Sequence, residues 1–149
     1  MDAPSEYSIS TDTNCFDLGM IHDFLRSSYW AQGIPRGVVE RSVKHSLCFG
    51  AFWRERQVGF ARVITDRATF GYLADVFVMP EHRGRGVAKL LIRSILAHSD
   101  LQGLRRILLA TRDAHELYAP FGFQPLFKPG NFMALHNPDV YRQGGGRDG

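Results

Sequence analysis

The sequence predicts an α/β sandwich, a mixed central sheet of about six to seven strands covered by helices on both faces. Three observations lead there. Strand-like and helix-like stretches follow one another as strand, two helices, three strands, helix, strand, helix and one or two strands. Residues 70–79 are apolar on both sides apart from Asp75, the pattern of a central strand covered twice. Residues 70–111 then read as strand, helix, strand, a unit that joins parallel neighbours.

Each element has its own signal. Residues 7–11 form the first strand. Asp17 caps a helix whose Leu18, Ile21, Phe24 and Leu25 recur at helical spacing, and a second helix begins at Pro35. Residues 47–53 and 58–65 flank the polar turn Arg54-Glu55-Arg56-Gln57 as a hairpin. Residues 86–98 form a helix with Val87, Leu90, Leu91, Ser94 and Ile95 on one face and Lys89 and Arg93 opposite. Residues 107–111 are a buried strand. Asp113 and Glu116 spell a capping box for a short helix that Pro120 and Gly122 end. Residues 123–127 and 132–135 are closing strands. Residues 1–136 thus make a single domain, with 137–149 a flexible tail whose end, Gln143-Gly144-Gly145-Gly146, is glycine-rich.

Composition bounds the function. A chain of 149 residues with 44% hydrophobic and 22% charged residues supports one core. No apolar run approaches the ~20 residues of a membrane span, and the start Met1-Asp2-Ala3-Pro4-Ser5-Glu6 does not read as a secretory leader. Cys15 and Cys48 have neither disulfide-framework nor metal-ligand spacing, so a cytoplasmic setting without a metal is expected. Net charge is +3. A basic chain suits nucleic acid, but the arginines are scattered, and a groove for a phosphorylated small molecule explains the charge equally well. No nucleic-acid or membrane partner is expected.

The chemistry concentrates in residues 75–88, a buried strand, a proline turn and a glycine-bearing loop that opens a helix. A helix N-terminus offers unpaired N–H groups and a partial positive charge. Gly84 and Gly86 let backbone wrap a phosphate, and Arg83 and Arg85 add forked donors. Gly84-Arg85-Gly86 has Lys89 where a dinucleotide fingerprint needs its third glycine, and no Gly-Lys-Ser/Thr of a P-loop is present.

The strand end Val76-Phe77-Val78-Met79-Pro80, followed by Arg83, Gly86 and Ala88, resembles the acetyl-coenzyme A signature of the GNAT N-acetyltransferase superfamily, Arg/Gln-x-x-Gly-x-Gly/Ala. Downstream, Ala114-x-x-Leu117-Tyr118-x-x-Phe121-Gly122-Phe123 resembles a second element of that family. The resemblance covers the chain to about Leu135. It implies acetyl transfer from acetyl-CoA to a primary amine, on a small molecule or a peptide, through a ternary complex, with a homodimer as a further candidate assembly. It implies that Arg83, Gly84, Arg85, Gly86, Val87 and Ala88 hold the pyrophosphate. Phe77 and Val78, on a strand that splays from its neighbour, would bond the pantetheine arm, and Tyr118 would act as general acid. Two positions depart from the family pattern. Thr111 stands seven residues before the tyrosine where many members have a pantetheine-binding Asn, and residues 107–110 offer no glutamate base.

Other readings stand beside these. Asp75, the lone charge of its strand, is either a salt-bridge partner or an ammonium contact or general base, with water as the alternative proton acceptor. Tyr29, Trp30, Phe52 and Trp53 either line an acceptor pocket or fill the core. His45, His82, His98 and His115 read as surface residues. The rival functions are a non-catalytic acyl-CoA-binding module and a small basic nucleic-acid-binding domain; another acyl donor, such as succinyl-CoA, is a variant within the enzyme class.

Overall fold

The computed structural model describes residues 6–142. Five strands, β1 (Tyr7–Ser10), β2 (Leu47–Trp53), β3 (Arg56–Thr65), β4 (Phe70–Val78) and β5 (Arg106–Leu109), form one sheet in sequence order. The first four are antiparallel and β5 runs parallel to β4. The mixed α/β architecture agrees with the expectation, with five strands in place of six to seven. The difference lies at the C-terminal end. Residues 123–127 and 132–135 are irregular, and Phe127, Met133 and Leu135 stay exposed.

Four helices cover the sheet: α1 (Leu18–Arg26), α2 (Arg36–Lys44), α3 (Val87–Ala97) and the single turn α4 (His115–Tyr118). Period-two alternation divides the strand residues between two cores. Leu47, Phe49 and Ala51 of β2 face a cluster with Leu91, Ile92 and Ile95 of α3, while Cys48 joins Ile21, Leu25, Val39 and Val43 of α1 and α2. Burial pushes the Cys48 thiol up to about 12, so it is an inert core group.

The ends of the helices show which signals held. Asp17 Oδ1 accepts from the Met20 amide at 3.0 Å, as expected, and the Asp17 N–H donates to Gln57 Oε1, tying α1 to β3. Pro35 precedes α2. Gly122 ends the turn after α4 at φ 101°. The Asp113–Glu116 capping box does not form; the Ala114 amide donates instead to Thr111 Oγ1 at 3.0 Å. The hydroxyl two residues earlier reaches the amide and leaves Asp113 exposed. Within the expected tail, one side chain packs on the domain. Tyr141 packs against Gly33 and joins the α1–α2 core, while residues 143–149 lie outside the described chain. No helix among the described residues is long and apolar enough to cross a membrane.

Candidate active site

The sheet splits beside α3. β4 pairs with β5 only from Phe70↔Arg106 to Leu73↔Leu109, and then continues alone to Val78. A bulge lies where the two part. The β3–β4 register steps between Phe60↔Phe77 and Arg62↔Ala74, and Asp75 takes φ 57°, a left-handed conformation that Asp tolerates. Beyond the bulge the Met79 amide bonds the Val58 carbonyl at 2.8 Å. Because backbone groups alternate sides along a strand, Phe77 directs its N–H and C=O to β3, and Val78 directs its own to the side that β5 has left. The expectation that Phe77 shares the free edge is therefore corrected. Its ring is buried and stacked on Phe24, with centroids 4.0 Å apart.

The split opens a cleft of about 1260 Å³. At one end lies the glycine loop. Arg83 Nε donates to the Val78 carbonyl at 2.9 Å, fastening the loop to the strand end. Gly84 and Gly86 have φ 77° and 82°, where a side chain is strained. Gly86 precedes α3 with no side-chain cap, and the Leu90 amide is bonded to the Gly86 carbonyl, so the amides of Val87, Ala88 and Lys89 head the helix. These three residues line the cleft with Arg83, Gly84 and Gly86. Arg85 is exposed and is not part of the lining. Thr111 lines the opposite wall, its hydroxyl committed to Ala114.

Tyr118 of α4 also lines the cleft. It is only 7% exposed, and its ring packs edge-on against Phe123 at 5.8 Å. Burial, with the Tyr29 phenol adding to it, pushes its hydroxyl up to about 12. Among the described residues, no hydrogen bond joins that hydroxyl to another side chain or to backbone.

Elsewhere in the lining, Asp75 is held by two partners. Oδ2 accepts from Arg62 Nε of β3 at 2.8 Å, and Oδ1 accepts from the Trp30 indole N–H at 2.8 Å. Arg62 Nη1 donates to Ser46 Oγ at 3.1 Å. The salt-bridge reading of Asp75 thus has named partners. Two lone charges of opposite sign in adjacent apolar strands were the available signal for Arg62; Trp30 had none. Tyr29 and Trp30 line the cleft, whereas Phe52 and Trp53 pack elsewhere.

His45 and His115 are exposed as expected. His82 is not a free surface residue. Its Nδ1 is 2.6 Å from the Tyr7 hydroxyl, and its ring lies beside Trp53. The turn at Pro80 folds it back over the β1–β2 edge. His98 likewise packs against Phe49. No group of three or more metal-ligand side chains occurs among the described residues.

A strand edge left unpaired beside a helix N-terminus bared by glycines defines an acyltransferase-type cleft. The sequence matches the acetyltransferase (GNAT) family over residues 14–123, and the chain belongs to that family. A Gibberella zeae protein described as an acetyltransferase is 32% identical, with 76% of each chain covered. A crystal structure from Xanthomonas campestris pv. campestris, described as an acetyltransferase of the GNAT family, is 53% identical over 93% of this chain and 98% of its own, with a TM-score of 0.90. The fold is shared with AAC(6')-Iy, solved with the bisubstrate analog CoA-S-monomethyl-acetylneamine, at 21% identity, 89% and 99% coverage of the two chains and a TM-score of 0.62.

Proposed function

We infer that the protein transfers an acetyl group from acetyl-CoA directly to a primary amine, both substrates being held together in the cleft. The observation that carries this reading is the unpaired Val78 edge running into the Gly84–Gly86 loop, with Tyr118 opposite. The site's residues suit the coenzyme. The amides of Val87, Ala88 and Lys89 and the Arg83 guanidinium supply donors for a pyrophosphate, and the bare strand supplies partners for an amide-bearing arm. The CoA-containing bisubstrate analog solved with AAC(6')-Iy supports the same reading.

Each residue then has a task. The Val78 N–H polarises the thioester carbonyl and stabilises the oxyanion that forms when the amine attacks. Tyr118 gives its proton to the departing sulfur. The amine's proton passes to water, because taking it on Asp75 would dissolve the Arg62 pair. Asp75 is a positioning group that fixes the bulge and the Trp30 loop. Thiol release from acetyl-CoA that requires an added primary amine tests the function. A protein that binds acetyl-CoA yet releases no thiol with any amine is the non-catalytic module, and DNA retention that weakens with salt without coenzyme binding is the basic nucleic-acid domain.

Asp75→Asn leaves a largely buried guanidinium with a neutral partner. A charge-assisted hydrogen bond of this kind contributes about 2 kcal/mol, so the variant should melt several degrees lower and lose turnover while it still binds acetyl-CoA. An unchanged Tm with turnover abolished would return the general-base role to Asp75.

A further inference from the structure

The acceptor end of the cleft is walled by rings. Tyr29 and Trp30, 52% and 42% exposed, sit edge-to-face with centroids 5.1 Å apart. Trp30 lies 6.3 Å from Phe24, and Phe24 stacks on Phe77. A ladder of four rings therefore runs from the cleft mouth to the strand residue beside Val78. The loop that carries the two exposed rings is braced before any ligand arrives. Ser28 Oγ donates to the Leu25 carbonyl and accepts from the Ala31 amide, the Gly33 amide bonds the Arg26 carbonyl, and the Trp30 indole is tied to Asp75. The outer face of the wall is closed by Arg112, whose guanidinium carbon lies 3.8 Å from the Tyr29 ring centroid.

Charge narrows the acceptor further. Among the described residues the lining carries two carboxylates, Asp75 and Asp113, and Asp75 is already neutralised by Arg62. With Arg62 spent on Asp75, the remaining lining cations are Arg83 and Lys89 beside the glycine loop and Arg112 at the Tyr29 wall. A polyamine or an aminoglycoside, with several ammonium groups, would find repulsion here and too few partners. A large exposed aromatic pair inside a cleft suits a flat apolar body instead.

Building on the acetyltransferase reading, we propose that the acceptor is an aromatic monoamine whose ring packs in the corner formed by Trp30 and Tyr29, face-on to one and edge-on to the other, and whose amine extends along β4 to the thioester at Val78. Asp75, which anchors the Trp30 indole, precedes Val78 by three residues on β4, so the ring wall and the thioester are set apart along the strand. An amine carried on an alkyl spacer suits that separation better than an amine set directly on the ring.

The test compares kcat/KM for phenethylamine and tryptamine with that for spermidine and kanamycin, in the wild type and in Trp30→Ala, with acetyl-CoA affinity measured separately by calorimetry. The arylalkylamines should exceed the polycations at least tenfold. Trp30→Ala should erase about tenfold of that preference, chiefly through KM, the scale of one lost aromatic contact. Trp30→Phe should restore most of it. A preference for the polycations, an equal loss for all four amines in Trp30→Ala, or no turnover of any amine despite bound acetyl-CoA would each overturn the proposal. Acetylation of the polycations alone would leave the acetyltransferase function standing, whereas failure to bind acetyl-CoA would remove that function itself.

Discussion

Tyr118→Phe is expected to lower kcat about 10²-fold, the low end for general acid–base catalysis, with coenzyme affinity and Tm little changed. The substitution keeps the ring, its edge-on packing against Phe123 and its burial, and removes only the proton. A phenol held at about 12 by burial stays protonated throughout the neutral range. It is a weaker acid than free tyrosine, but the departing thiolate leaves into the same desolvated space, which raises its own proton affinity too. The mismatch between donor and acceptor is thus smaller than their solution values suggest. The sign of the pH dependence follows from the upward shift. Deprotonation of Tyr118 should cause no loss of kcat between pH 7 and pH 10, and its alkaline limb lies near 12, beyond the range in which the fold is readily assayed. Single-turnover rates at saturating substrates check both points. Near-wild-type chemistry in Tyr118→Phe would hand the thiolate's proton to water.

Gly86→Val should remove most of the affinity for acetyl-CoA, a loss of 10²-fold or more. Two effects act together. Gly86 has φ 82°, and a β-branched residue there costs on the order of 1–3 kcal/mol in backbone strain. Relief of that strain would turn the loop and re-aim the amides at the head of α3. A side chain at this position also stands where a pyrophosphate must touch backbone. Calorimetry reads the affinity, and a melting curve separates it from misfolding. Gly122→Ala serves as the control, since it introduces strain at φ 101° outside the cleft lining. It should lower Tm and leave the coenzyme affinity unchanged. Unchanged affinity in Gly86→Val would mean that the phosphate-binding amides lie elsewhere.

Much of the site was legible because its signals are local. A helix start exposed by glycines, an arginine three residues before the second of them, and a tyrosine on a short turn after the next strand are all spacings along one stretch of chain. Apolar patterning along the chain placed all five strands for the same reason. The misreadings have a common cause. The capping box at Asp113 and Glu116 lost to Thr111, whose hydroxyl reached the Ala114 amide. Residues 123–127 and 132–135 were expected as closing strands, and they stay irregular without joining the sheet. His82 had a surface-like sequence context and was folded onto Tyr7 by the turn at Pro80. Phe77 was expected to offer free backbone groups, and the bulge at Asp75 gave that role to its neighbour.

The order of elements and the glycine loop were determined by the sequence itself, since each depends on residues within a few positions of one another, while Tyr118 as candidate acid came from the resemblance of residues 114–123 to the family's second element. Tertiary structure alone decided the acceptor end. Trp30 and Asp75 are 45 residues apart, Tyr29 and Arg112 are 83 apart, and Arg62 meets Asp75 across a strand pair. No periodicity relates such residues. They meet because α1 and its following loop fold over the face of β4 at the point where β5 leaves it, and contacts made by packing distant segments carry no signature along the chain.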